Sequence, residues 1–187
     1  MIVGIAVGIA IVVGIPLGIV CTRSANTSRI ALRLIDAIQT IPSLALFGFL
    51  IPVPLIGGIG MRTAIVALSL YSLLPVVRNT FLGIRGVDPI VRDAGVALGF
   101  TPSQLLRQVE IPLAMPSIVA GIRIATVTGI GVATIAAAIG GGGLGTFIFR
   151  GVAMVDTRLI LAGALPAAAL ALIADLLFTL IERRLIR

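Results

Sequence analysis

The stretch IVGIAVGIAIVVGIPLGIV, residues 2–20, runs for 19 residues without a charged side chain. As a helix it is about 28 Å long, close to the ~30 Å hydrocarbon core of a bilayer. It does not alternate apolar with polar as a barrel strand does, so it reads as a transmembrane helix. Four similar runs follow at 34–51, 63–84, 116–139 and 159–181. Asp36 opens the second, the third is uncharged through Val77, Arg123 is the only charge of the fourth, and Asp175 of the fifth. The expected fold is an all-α integral membrane domain of about five spans over residues 1–187.

Composition supports this reading. The chain is 59% hydrophobic and 11% charged, with a mean hydropathy of +1.23. That excludes disorder and argues against a soluble domain. All 14 basic residues are Arg, set against 7 acidic ones, and Lys, His and Trp are absent. The Arg residues lie between apolar runs as membrane-flank charge, not on a polar surface suited to nucleic acid. A single Cys21 excludes an internal disulfide or a multi-cysteine metal site. Without His, zinc enzymes and Ser-His-Asp hydrolases are excluded within this chain. The first run lacks the basic n-region and clean cleavage site of a signal peptide, so it is expected to be retained. It begins directly after Met1, which leaves room for a start upstream.

Orientation follows from the connections. Arg23, Arg29, Arg33, Arg85, Arg92, Arg107, Arg183, Arg184 and Arg187 share one side of a five-span chain, and only Arg62, Arg150 and Arg158 the other, a split of nine to three. The positive-inside rule makes the Arg-rich side cytoplasmic, with the N-terminus outside and the C-terminus inside.

Pro42, Pro75 and Pro166 fall inside the second, third and fifth runs, where each is expected to kink or break its helix. They are either ordinary transmembrane prolines or bends in a pathway. The pathway reading points to Gln39, Thr40, Pro42 and Ser43, where polar residues gather. Gly4/Gly8 and Gly14/Gly18 are small-xxx-small pairs that allow close helix contact. Gly140–Gly143 reads as a flexible loop on the outer side.

The segment 85–115, RGVDPIVRDAGVALGFTPSQLLRQVEIPLAM, is too long for a turn. Asp88 before Pro89 starts a helix that Gly99 stops. Thr101, Pro102 and Gln104 form a capping box that starts a second helix. Pro112 and Pro116 are expected to end it. On the first helix Ile90, Ala94, Ala97 and Leu98 make an apolar stripe, suited to docking a partner or to lying on lipid.

Asp93-Ala94-Gly95, then Gly99, then nine residues, then Val109-x-Ile111-Pro112, resembles the EAA loop of binding-protein-dependent ABC importer permeases. That motif reads E-A-A, three residues, G, nine residues, I-x-L-P. The spacing agrees, with Asp for Glu at 93, Gly for Ala at 95, Val for Ile at 109 and Ile for Leu at 111. QTIPSLALFGFLIP (39–52), YSLLPVVRNT (71–80), GIRGVDP (83–89), VEIPLAMPSIVAGIR (109–123) and IGGGGLG (139–145) resemble the osmoprotectant branch: permeases for glycine betaine, carnitine and choline.

The resemblance implies a type I importer permease in a bacterial or archaeal cytoplasmic membrane, without enzyme activity of its own. It implies cytoplasmic ATPase subunits carrying ATP and magnesium, a second permease copy or homologue, and an extracytoplasmic solute-binding protein. Arg92, Asp93, Ala94, Gly95, Leu98, Gly99, Phe100 and Thr101 would form the coupling helix and its turn. A chain without Lys holds no G-x-x-x-x-G-K-[ST] loop, in keeping with an energy source on another chain. With no Trp, strong recognition of a quaternary ammonium falls to the binding protein, and Tyr71, Phe47 and Phe49 are expected to make passing contacts. The rival readings are a permease for another amino acid or amine and an ATP-independent secondary transporter, which has no need of a capped cytoplasmic hairpin.

Overall fold

The computed structural model describes residues 1–54 and 56–185, so Arg187 lies outside the described residues. In chain order the helices are α1 (Ile2–Arg23), α2 (Ala25–Thr40), α3 (Ser43–Leu50), α4 (Met61–Arg85), α5 (Pro89–Ala97) and α6 (Pro102–Leu105). A π-turn (Leu106–Glu110), α7 (Ile111–Ile135), a 3-10 turn (Ala136–Ile139), α8 (Gly145–Met154) and α9 (Thr157–Leu185) complete it.

The centre of the bundle is α1 and α4 running parallel, with α7 antiparallel against both. Small residues set the approach. A Cβ on Gly18 would lie 2.6 Å from Thr80 Cβ, and one on Gly14 2.9 Å from Val76 Cγ1. On the other side of α4, a Cβ on Gly121 would lie 2.6 Å from the Pro75 carbonyl oxygen. Gly4 and Gly8 have the same spacing as Gly14 and Gly18, yet nothing lies within 4 Å of a Cβ built there. Only the second pair is a helix crossing. Forcing a side chain into such a contact costs about 1–3 kcal/mol, so Gly18→Leu is expected to lower the Tm of the purified protein by roughly 5 °C. Gly8→Leu is expected to leave it unchanged; equal losses would contradict the packing.

The predicted run 34–51 is not one straight helix. Its α2 and α3 parts meet at 98°. Pro42 supplies no N–H to continue α2, and Ile41 before it is extended at φ −72°, ψ 125°, as a pre-proline residue prefers. Pro75 and Pro166 stay inside unbroken helices.

The fourth run also differs from expectation. Helix is continuous over Pro102–Ile139, 38 residues, so Pro112 and Pro116 do not end the loop helix. The π-turn explains Pro112. The Ile111 N–H reaches back five residues to the Leu106 carbonyl, and Pro112 stands where the ladder returns from five-residue to four-residue bonds.

From these directions, the C-terminal ends of α1, α4 and α9 and the N-terminal end of α7 share one end of the bundle. Arg23, Arg85, Arg107, Arg183 and Arg184 therefore gather there. From that end α2 returns along α4, with Ile35 against Leu74 and Val77, and Asp36 3.9 Å from Arg78. On the opposite flank Arg123 of α7 makes a two-pronged bond to Asp175 of α9, at 2.6 and 3.0 Å, and reaches Glu182 at 3.2 Å. Pairing of this kind keeps an intramembrane charge from standing alone.

The glycine run is a hydrogen-bonded turn. Gly140 N–H donates to Ala137 at 3.1 Å and Gly141 N–H to Ala136 at 2.9 Å. It leads directly into α8, a helix that sequence reading did not anticipate. A Cβ on Gly145 would lie only 1.9 Å from the Thr134 carbonyl oxygen, so α8 folds tightly back on α7.

Candidate functional site

Between α4 and α7 the chain forms a hairpin closed at every terminus. Asp88 Oδ1 accepts the Ile90 N–H at 2.8 Å and starts α5. The α5 C-terminus is a Schellman turn: Gly99 N–H donates to Val96 at 2.9 Å and Phe100 N–H to Gly95 at 3.1 Å. Gly99 takes φ +83°, a region that favours glycine. The capping box then starts α6: Thr101 N–H donates to Gln104 Oε1 at 2.8 Å and Gln104 N–H to Thr101 Oγ1 at 3.4 Å.

The hairpin has two sides. Ile90 and Leu98 are each 76% exposed, and Asp93, Ala94, Ala97, Gly99 and Thr101 are exposed with them. This outer face carries the predicted apolar stripe. Gly95, Phe100 and Arg92 turn inward. A Cβ on Gly95 would lie 2.7 Å from Leu105 Cδ1, so a small residue there lets α5 sit against α6. Arg92 forms an ion pair with Glu110 at 3.0 Å and donates to the Ile84 carbonyl. One side chain thus ties α5 both to the last turn of α4 and to the entry of α7. Glu110 was not singled out from the sequence; it lies across the hairpin from Arg92, beyond the reach of any local motif.

The second cluster is the elbow at the α2–α3 break. Gln39 Nε2 donates to the Tyr71 carbonyl at 2.9 Å, and the Tyr71 hydroxyl donates to the Ile41 carbonyl. Thr40 bonds within its own helix, to Ala37 at 2.7 Å. Pro42 is exposed and Ser43 half-buried. Below the elbow, Asn79 Nδ2 donates to Pro75 at 2.8 Å and Ser117 Oγ to Asn79 at 2.9 Å. Tyr71 lies ten residues into α4, about 15 Å from its start and near the middle of that helix. Phe47 is fully buried in the core beside Leu46, Ala64 and Leu68, whereas Phe49 is 66% exposed on the outside.

The whole is a helical bundle whose connecting hairpin is tied to two of its long helices and presents an apolar face outward. Residues 14–187 match the family described as binding-protein-dependent transport system inner membrane component, and the chain belongs to that family. It is 45% identical over 181 residues to the choline transport system permease protein OpuBB of Bacillus subtilis, covering 97% of this chain and 82% of that one. It is 44% identical to the glycine betaine/carnitine/choline permease OpuCB of the same organism, over 96% and 82%. It is 47% identical to the osmoprotectant import permease OsmW of Salmonella typhimurium, over 92% and 81%. Its fold matches a chain of the MetNI methionine ABC transporter with a TM-score of 0.91 at 22% identity, covering 100% of this chain and 92% of that chain. An amino acid ABC transporter solved with histidines matches at 0.80 and 21%, over 98% and 88%. The chain is a transport permease subunit, an inner membrane component of a binding-protein-dependent transport system, and not an enzyme.

Proposed function

We propose that this permease imports a compatible solute of the glycine betaine, choline or carnitine kind. The observation that carries the reading is the match to the choline permease over 97% of the chain at 45% identity. The outer face of α5, with Asp93, Ala94 and Leu98, docks on the ATPase, and Arg92, Gly95, Gly99, Phe100 and Thr101 hold it in place. ATP and magnesium stay on the ATPase. The hairpin end is cytoplasmic, because it gathers the arginines, and the C-terminus lies on the same side. A second permease copy or a homologue completes the pathway, which passes the elbow at Gln39, Thr40, Pro42, Ser43 and Tyr71. An extracytoplasmic binding protein supplies the affinity. This chain has a single Tyr, seven Phe and no Trp, the strongest cation-π partner, which favours recognition by that protein.

The test is uptake of radiolabelled choline in cells carrying the complete transporter, competed by unlabelled glycine betaine, carnitine and methionine. Competition by glycine betaine or carnitine is expected. Competition by methionine alone would contradict the solute class. A reporter fused after Arg187 is expected on the cytoplasmic side, and external labelling of it would contradict the orientation.

A further inference from the structure

Pro75 lies inside α4 and has no N–H, so the carbonyl four residues before it, on Tyr71, loses its helical donor. Lipid cannot replace that donor, so a neighbouring group or water in the pathway must. Gln39 of α2 does so, at 2.9 Å. The Tyr71 side chain reaches the opposite way and donates to the Ile41 carbonyl, which lies in the break made by Pro42. Two prolines on two elements each open the backbone. One side chain from each element closes the gap on the other.

We propose that Gln39 and Tyr71 form a clasp that fixes the α2–α3 elbow to the proline turn of α4. They act as positioning residues of the transport cycle and not as solute contacts. The inference deepens the importer reading and rests on it. The hydroxyl proton of Tyr71 is committed to Ile41 and one N–H of the Gln39 amide to Tyr71, so these two bonds hold backbone and not solute. Ile35 on one side of the break and Phe47 on the other are buried against α4. The clasp sits between them, where sliding of α2 and α3 along α4 would begin.

The experiment uses the complete transporter in proteoliposomes, with radiolabelled glycine betaine, choline and carnitine as probes. Gln39→Ala is expected to lower Vmax about tenfold, the size expected for orphaning one backbone carbonyl away from bulk water, with KM within about twofold of wild type. Tyr71→Phe is expected to act in the same direction. The deciding variant is Gln39→Ala combined with Pro75→Ala. Alanine at 75 returns an N–H to the Tyr71 carbonyl, so Gln39→Ala is expected to cost almost nothing in that background. An equal loss of Vmax in both backgrounds would overturn the clasp. So would a rise in KM at unchanged Vmax, which marks a solute contact. The same cycle is read in parallel as Tm of the purified transporter, where the drop caused by Gln39→Ala is expected to vanish beside Pro75→Ala. If wild type carries none of the three solutes, the proposed solute class fails, and the Tm cycle still decides the clasp.

Discussion

Gly99→Pro is expected to insert with its spans packed and to import solute about a hundredfold more slowly than wild type, a loss of ~3 kcal/mol in coupling. Proline holds φ near −65°, whereas Gly99 sits at +83°. Proline also removes the N–H that closes the α5 C-terminus on Val96 at 2.9 Å. The Schellman turn then opens, Gly95 leaves Leu105, and the exposed stripe of Ile90 and Leu98 loses its fixed aim. The spans are spared because the close contacts at Gly95, with Leu105 and Phe100, stay within the hairpin. The expected readout is membrane insertion at wild-type level, with uptake and ATPase retention both lost. Normal uptake would remove the hairpin from the mechanism.

Arg92→Ala is the second large effect, and it differs in kind. The outer face of α5 remains intact, so the ATPase still binds. What is lost is the tie to Glu110 and to the Ile84 carbonyl. Hydrogen bonds to charged groups contribute about 1.5–3 kcal/mol, and Glu110 is left without its cation. Motion of α5 is then no longer passed to α4 and α7 as one body. ATP hydrolysis is expected to continue while solute imported per ATP falls about tenfold, by the same energy converted to a rate. Arg92→Ala with Glu110→Ala is expected to recover part of the loss. Uptake and hydrolysis that fall together would place Arg92 in docking and not in transmission.

These two variants also mark what was legible in the sequence. The caps on α5 and α6 were readable because Asp88-Pro89, Gly99 and Thr101-Pro102-x-Gln104 act within four residues of themselves. The tie from Arg92 to Glu110 was not, because it closes across a hairpin whose bend must be known first. Proline showed the same division. Pro42 breaks its helix as expected, whereas Pro112 is absorbed by a π-turn whose five-residue hydrogen bond leaves no mark on composition. Gly4/Gly8 and Gly14/Gly18 are indistinguishable in spacing, and only the course of α4 decides which pair becomes a contact. At the elbow the polar residues were visible as a cluster. That Gln39 pairs with the Tyr71 backbone follows from Pro75, which stands beyond the reach of local pattern.

The central claim is that this chain takes its energy from a cytoplasmic ATPase through the 85–115 hairpin. The most direct measurement is purification of the tagged chain from native membrane in mild detergent, with mass identification of what accompanies it. The account predicts an ATPase subunit bearing a phosphate-binding G-x-x-x-x-G-K-[ST] loop, present with wild type and absent with Gly99→Pro. Recovery of the chain without an ATPase, under conditions that keep other ABC complexes whole, would contradict it.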